Sequence, residues 1–123
     1  MTPTAEFFDE LASRAHEPVL ARTSGTLRFD IADGDRVEHW YVTIEKGDLA
    51  VSHKRGRADS VLGLDLGLAD EIFSGRTNVV ARMLRGEVHI EGDLALMMQF
   101  QRILPRPATS RELPAAGYAR RTS

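Results

Sequence analysis

The sequence predicts an α+β domain, and three observations carry that prediction. Apolar residues recur at helical spacing near the start of the chain, at a period of two through its centre, and at helical spacing again before residue 104. Short glycine-containing turns, Asp33-Gly34-Asp35 and Lys46-Gly47-Asp48, separate the alternating stretches. Helices therefore flank a run of strands instead of alternating with them one by one. A length of 123 residues suits a single core.

Each element has its own local reason. Thr2 can cap the first helix, Pro3 suits its first position, and Glu6 complements its dipole. Phe7, Phe8, Leu11, Ala12 and Ala15 form its apolar face, and Pro18 ends the pattern near His16-Glu17. Residues 26–31 alternate, with Leu27, Phe29 and Ile31 on one side, and read as a half-buried strand. In residues 38–45, Trp40, Val42 and Ile44 share one face, while Tyr41 and Thr43 take the other. Leu49, Val51 and His53 extend the meander, residues 53–59 make a polar connection, and residues 60–64 are a fourth strand.

Asp65 then caps a helix through Phe73, with Leu68, Ile72 and Phe73 inward and Ser74-Gly75 ending it. Thr77 or Asn78 caps a short helix with Val79, Val80, Met83 and Leu84 on one face, and Gly86 closes it. Residues 87–91 form a fifth strand with Val88 and Ile90 facing in. Gly92-Asp93 opens the last helix, residues 94–104. Residues 1–104 thus make the domain. Residues 105–123, with Pro105, Pro107 and Pro114 and no period, make an extended tail.

Composition narrows the function. The absence of cysteine removes disulfides, thiolate catalysis and cysteine-ligated metals. It also fits a reducing compartment, and the first residues are acidic where a signal peptide would be basic, so a cytoplasmic location is expected. The apolar run 94–98 is far too short to span a bilayer. A net charge of −2 argues against nucleic acid as a partner. The tail sets Arg106, Arg111, Arg120 and Arg121 against the single Glu112. Such a tail could make transient contact with anionic lipid headgroups, although four arginines are few and a solubilising terminus is the favoured reading.

No arrangement of reactive side chains stands out. His16, His39, His53 and His89 show no metal-binding spacing, so neither a metal nor a catalytic role is assigned. Asp33-Gly34-Asp35 lacks the ligand set of a calcium loop and reads as a turn. The glycines of Gly63-Leu64-Asp65-Leu66-Gly67 lack the Gly-Lys-Ser/Thr of a phosphate loop. Asp70 and Glu71 point in different directions on a helix, which favours a solvated face. No cofactor is expected. The basic cluster His53-Lys54-Arg55-Gly56-Arg57 reads as an exposed loop in preference to a phosphate or headgroup site. The last helix is broader in its apolar stripe than a surface helix needs, and Met83, Met97 and Met98 add adaptable side chains. From pattern alone, ordinary core packing explains this better than a cavity.

The order of these elements, with certain landmarks, resembles the sterol carrier protein type 2 family of lipid-binding and lipid-transfer domains. The resemblance covers roughly residues 5–104. It rests on Gly25-Thr26-Leu27-Arg28-Phe29-Asp30-Ile31, on Trp40-Tyr41-Val42-Thr43-Ile44 with Gly47, on Phe73-Ser74-Gly75-Arg76-Thr77-Asn78, and on Gly86-Glu87-Val88-His89-Ile90-Glu91-Gly92-Asp93. It implies a five-stranded, mostly antiparallel sheet covered on one face by helices, with an apolar tunnel between the layers. The tunnel lining it implies is Trp40, Val42, Ile44, Phe73, Val80, Met83, Leu84, Met97, Phe100 and Leu104. The ligand would be an apolar small molecule or lipid of sterol, fatty acyl or isoprenoid type, as for stand-alone bacterial-type members. The chain departs from the family in its tail, which would close the tunnel, pair with a second copy in a homodimer or stay disordered.

A non-catalytic lipid carrier is the leading expectation. An accessory protein that presents an apolar intermediate to partner enzymes is the alternative. A pocket-based cyclase or isomerase, with Tyr41, His39, His89 and Asp93 as its polar candidates, is a lesser one.

Overall fold

A computed structural model describes residues 2–105. Helix α1, Pro3–Arg14, starts on Thr2, whose hydroxyl accepts from the Ala5 N–H at 3.1 Å. It ends earlier than the apolar pattern suggests, because Ala15 adopts a left-handed conformation (φ 63°) that caps it. The next residues are then drawn to the sheet edge. Glu17 N–H donates to the Gly47 carbonyl at 2.8 Å, and Leu49 N–H donates to the Ala15 carbonyl at 2.7 Å. A single 3-10 turn, Pro18–Leu20, leads into the sheet.

Strands β1 (Ser24–Asp33), β2 (Arg36–Glu45) and β3 (Asp48–Ser52) form the meander. β1 and β2 are longer than their alternating cores, since the ladder continues through charged, exposed ends as far as the Asp33–Arg36 pair. At Lys46-Gly47 both residues have positive φ (50° and 90°), which matches the twist of a two-residue hairpin. Glycine is also needed there for space, because a Cβ would lie 2.9 Å from the Glu17 carbonyl oxygen.

The chain then crosses to β4 (Ser60–Asp65), which lies parallel to β1. Asp65 accepts from the Leu68 N–H at 2.8 Å and starts α2, Leu66–Phe73. Asn78, not Thr77, caps α3, Val79–Leu84, accepting from the Ala81 N–H at 3.1 Å. Thr77 instead accepts from Arg82 Nε at 3.0 Å. Strand β5, His89–Gly92, runs antiparallel to β4 from the Gly63–His89 pair. Val88 is buried but precedes the ladder. Asp93 caps α4, Leu94–Phe100, at 3.0 Å. Residues 101–103 tighten into a 3-10 turn, since Pro105 holds Leu104 extended (ψ 149°) and the helix cannot continue.

The sheet order is β3-β2-β1-β4-β5, with three antiparallel pairings and the parallel β1–β4 pairing. The helices pack on one face, and aromatic side chains join the layers. Phe8 of α1 stacks on Trp40 of β2 at 4.6 Å and Phe29 of β1 meets Phe100 of α4 at 5.4 Å, while within the helix layer Phe7 stacks on Phe73 at 4.6 Å. Asp70 is not simply solvated, because it accepts from both the Thr4 hydroxyl (2.8 Å) and the Thr4 N–H (3.1 Å) and ties α2 to α1. Expectations placed on residues 106–123, including membrane contact and a second copy, fall outside the described residues.

Candidate functional site

The apolar faces of β1 and β4 meet three helices in one place. Phe29, Leu62 and Leu64 lie below, and Ile72 and Phe73 of α2, Val79 of α3 and Met97 and Phe100 of α4 lie above. With Leu104 they enclose a cavity of about 10 Å³. That is about one water-sized probe, against the ~300–1,000 Å³ of ordinary ligand pockets.

Four of the residues expected in a tunnel border this cavity: Phe73, Met97, Phe100 and Leu104. Trp40, Val42 and Ile44 face the same layer but border other parts of it. Trp40 is stacked on Phe8 and donates its indole N–H to Glu38 Oε1 at 3.0 Å. Val42 and Ile44 are fully buried on β2. Val80 and Met83 are half-buried against the edge of the core. The expectation for Leu84 is corrected, since its side chain is 82% exposed. Val79 points into the core, and Leu84, five residues on, lies roughly 140° around the helix axis from it.

Sequence reading did not single out Phe29, Leu62, Leu64, Ile72 and Val79 as lining. Their apolar spacing was visible, but their meeting depends on parallel pairing, which sets Leu62 opposite Phe29 and Leu64 opposite Ile31. It also passed over Ser60. That side chain is fully buried on the same face as Leu62, and its hydroxyl has no hydrogen-bond partner among the described residues. Buried polar atoms rarely go unpaired, so a lone hydroxyl facing an apolar layer is a polar group still able to take a ligand or water.

Outside the layer, α4 borders a larger opening. An open groove of about 680 Å³ runs between the Pro18–Leu20 turn with the residues after it and α4. Val19, Arg22 and Ser24 form one side, and Ala95, Leu96, Gln99 and Arg102 form the other. Arg102 Nη1 donates to Gln99 Oε1 at 2.9 Å. α4 is therefore a shared wall, with Met97 and Phe100 on the cavity and Leu96 and Gln99 on the groove. Leu94 (50%) and Met98 (36%) remain exposed on the same helix.

The titratable candidates lie elsewhere. His39 Nδ1 is 2.6 Å from Asp30 Oδ1 on the outer face of the sheet, and His89 Nε2 is 2.7 Å from Glu91 Oε2. His16 pairs with Asp48 at the β3 edge. Partial burial pushes the Asp30 carboxyl up, but hydrogen bonds and charge from Arg28 and His39 outweigh it and hold the group below the usual aspartate range. Tyr41 also belongs to the outer face, and Asp93 is occupied as the α4 cap. None of these residues borders the apolar cavity. Among the described residues, no three His, Asp or Glu side chains are grouped to hold a metal, and no helix is long and apolar enough to cross a membrane.

Known proteins share this fold. The chain is 25% identical over 105 residues to Hydroxysteroid dehydrogenase-like protein 2 from Xenopus tropicalis, a match spanning 84% of the chain and only 25% of that relative. Palmitated SCP2L2 from Aedes aegypti superposes with a TM-score of 0.66 at 18% identity, over 84% of this chain and 94% of that one. The inverting sec-alkylsulfatase Pisa1 from Pseudomonas sp. contains the same fold, with a TM-score of 0.67 at 23% identity over 85% of this chain and 16% of that one. The family model for SCP-2 sterol transfer proteins matches residues 6–105, from within α1 to just past the final 3-10 turn. A sheet and helix layer closing on an apolar interior, matched over nearly all the described residues, places this chain in the SCP-2 sterol transfer family.

Proposed function

We propose that the chain binds and carries an apolar, lipid-like ligand between its sheet and its helices, without converting it chemically. The observation that carries this reading is the position of α4, a single short helix between a small apolar cavity and a larger open groove. A volume of about 10 Å³ holds no lipid chain, so loading requires α4 to move outward and join the two spaces. Met97 is suited to that change, because an unbranched thioether repacks at low cost. Each methylene enclosed would contribute ~0.8 kcal/mol, which favours a long chain. Arg22 and Arg102 at the groove supply guanidinium donors for a carboxylate head. A family relative described as palmitated has the same fold, which makes palmitate the natural first probe.

Native mass spectrometry of the full chain mixed with palmitate tests this reading. A one-to-one adduct that is weakened about tenfold by Arg22→Ala with Arg102→Ala is expected, since charge-assisted hydrogen bonds are lost. Methyl palmitate, with no carboxylate, should bind both proteins alike. Absence of any adduct would overturn the proposal.

A second reading has its own support. The matched module makes up a quarter of the Xenopus relative and 16% of the alkylsulfatase chain, so the fold occurs attached to larger proteins. The chain would then present its apolar ligand to a partner enzyme. Co-purification of a defined enzyme whose turnover of an apolar substrate rises when this chain is added would favour it.

A further inference from the structure

The outer face of the sheet carries a cleft opposite in chemistry to the apolar interior. The connection from β3 to β4 brings Arg55 and Gly56 beside Arg28, His39 and Tyr41, and the five enclose about 290 Å³. Tyr41 faces away from the helices yet is only 7% exposed. It stands directly across from Arg28 in the β1–β2 ladder, and Asp30 stands across from His39.

The charges in this cleft do not cancel. Among the described residues, Asp30 is the only carboxylate hydrogen-bonded to the group, and it receives Arg28 Nε at 2.9 Å, Arg28 Nη2 at 3.0 Å and His39 Nδ1 at 2.6 Å. Arg55 has no ion pair among the described residues. Two guanidiniums against one carboxylate leave a positive excess. Lys54 and Arg57, on the same connection, reinforce the sign. Asp59, at the end of the connection, commits its carboxylate to the Thr26 N–H at 2.8 Å. Asp30 also immobilises Arg28, so part of the site is preorganised, and Arg28 is held firmly charged, first by its hydrogen bond to Asp30.

We propose that this outer cleft binds a phosphate-class oxyanion, gripped by the Arg55 and Arg28 guanidiniums with the Tyr41 hydroxyl as a neutral donor. Cationic forks from two elements suit an anion with several acceptor oxygens. A cleft of about 290 Å³ has room for such an anion with its substituent directed out of it. The chemistry is shared by free phosphate and by a phosphomonoester lipid head. The cleft lies across the sheet from the apolar cavity, so this proposal and the carrier reading stand or fall separately.

Backbone amide NMR of the full chain decides the matter, with inorganic phosphate and dihexanoyl phosphatidic acid as separate titrants and chloride at matched ionic strength as control. Saturable shifts at Arg28, Tyr41 and Gly56 with phosphate and not with chloride are expected. Arg55→Ala, in an exposed connection, should leave the rest of the spectrum unchanged and weaken binding about tenfold. Tyr41→Phe should weaken it less. Equal affinity for both titrants assigns the free anion, and tighter binding of phosphatidic acid assigns the headgroup; either supports the site. Shifts that track ionic strength alone, or wild-type affinity in a folded Arg55→Ala variant, would overturn it.

Discussion

Ser60 and Asp30 are polar residues on opposite faces of the same sheet, and their surroundings give opposite expectations. The Ser60 hydroxyl is buried with no partner among the described residues, so removing it removes a desolvation cost that those residues do not offset. Ser60→Ala should leave stability unchanged or raise it by about 1 kcal/mol in urea unfolding. A clear loss would show that the hydroxyl has a partner. Asp30 is instead tied to Arg28 and His39, which hold its carboxyl below the ordinary value of about 3.9. Its contribution is therefore fully present above that value and is lost as pH falls through the lower, folded one. Asp30→Asn should flatten the acid limb of a stability–pH curve below about pH 4 and leave the shape of the curve near neutrality unchanged. An acid limb identical to wild type would contradict the ion-pair geometry. Neither environment was legible in the sequence. Alternation around Leu27, Phe29 and Ile31 gave the face of Asp30 but nothing singled out Ser60, and whether each had a partner depends on residues in other strands.

Elements were the most legible level, because their signals are local. Thr2, Asp65 and Asp93 cap helices as their positions suggest, and each makes the expected hydrogen bond from its side chain. Termini shifted where tertiary contacts took over, as when the β3 edge captured residues 15–17 and when Leu104, held extended before Pro105, stopped α4. Gly92 shows a constraint only the fold reveals. It has φ 88° at the end of β5, and a Cβ there would run into the Asp59 carbonyl. Gly92→Ala should cost more than the ~1–2 kcal/mol of a left-handed alanine, read as a lower thermal midpoint. Gly34 shares a positive φ (63°) with nothing near its Cβ direction. Gly34→Ala should therefore cost less than Gly92→Ala, and equal losses would contradict the crowding at Asp59.

For the whole molecule, the mostly antiparallel sheet under one layer of helices follows from the sequence order and the family resemblance, and the structure has that form. The interior was less legible. The expected lining drew on β2, whereas the residual cavity lies over β1 and β4, because the parallel crossing that brings Leu62 to Phe29 leaves no short-range signature. Leu84 was misplaced because its apolar character could not reveal how a six-residue helix would be rotated. The carrier reading now depends on a core that opens at α4. At a free ligand concentration of 100 Kd, binding should stabilise the fold by ~2.7 kcal/mol, which a thermal melt can register.

Side-chain methyl NMR during a palmitate titration is the most direct test. Saturable one-to-one shifts are expected at Leu62, Leu64, Ile72, Val79, Met97 and Leu104, with smaller ones at Val42 and Ile44. Binding that perturbs only exposed Leu84, Leu94 and Met98, or no binding at all, would contradict an internal apolar site.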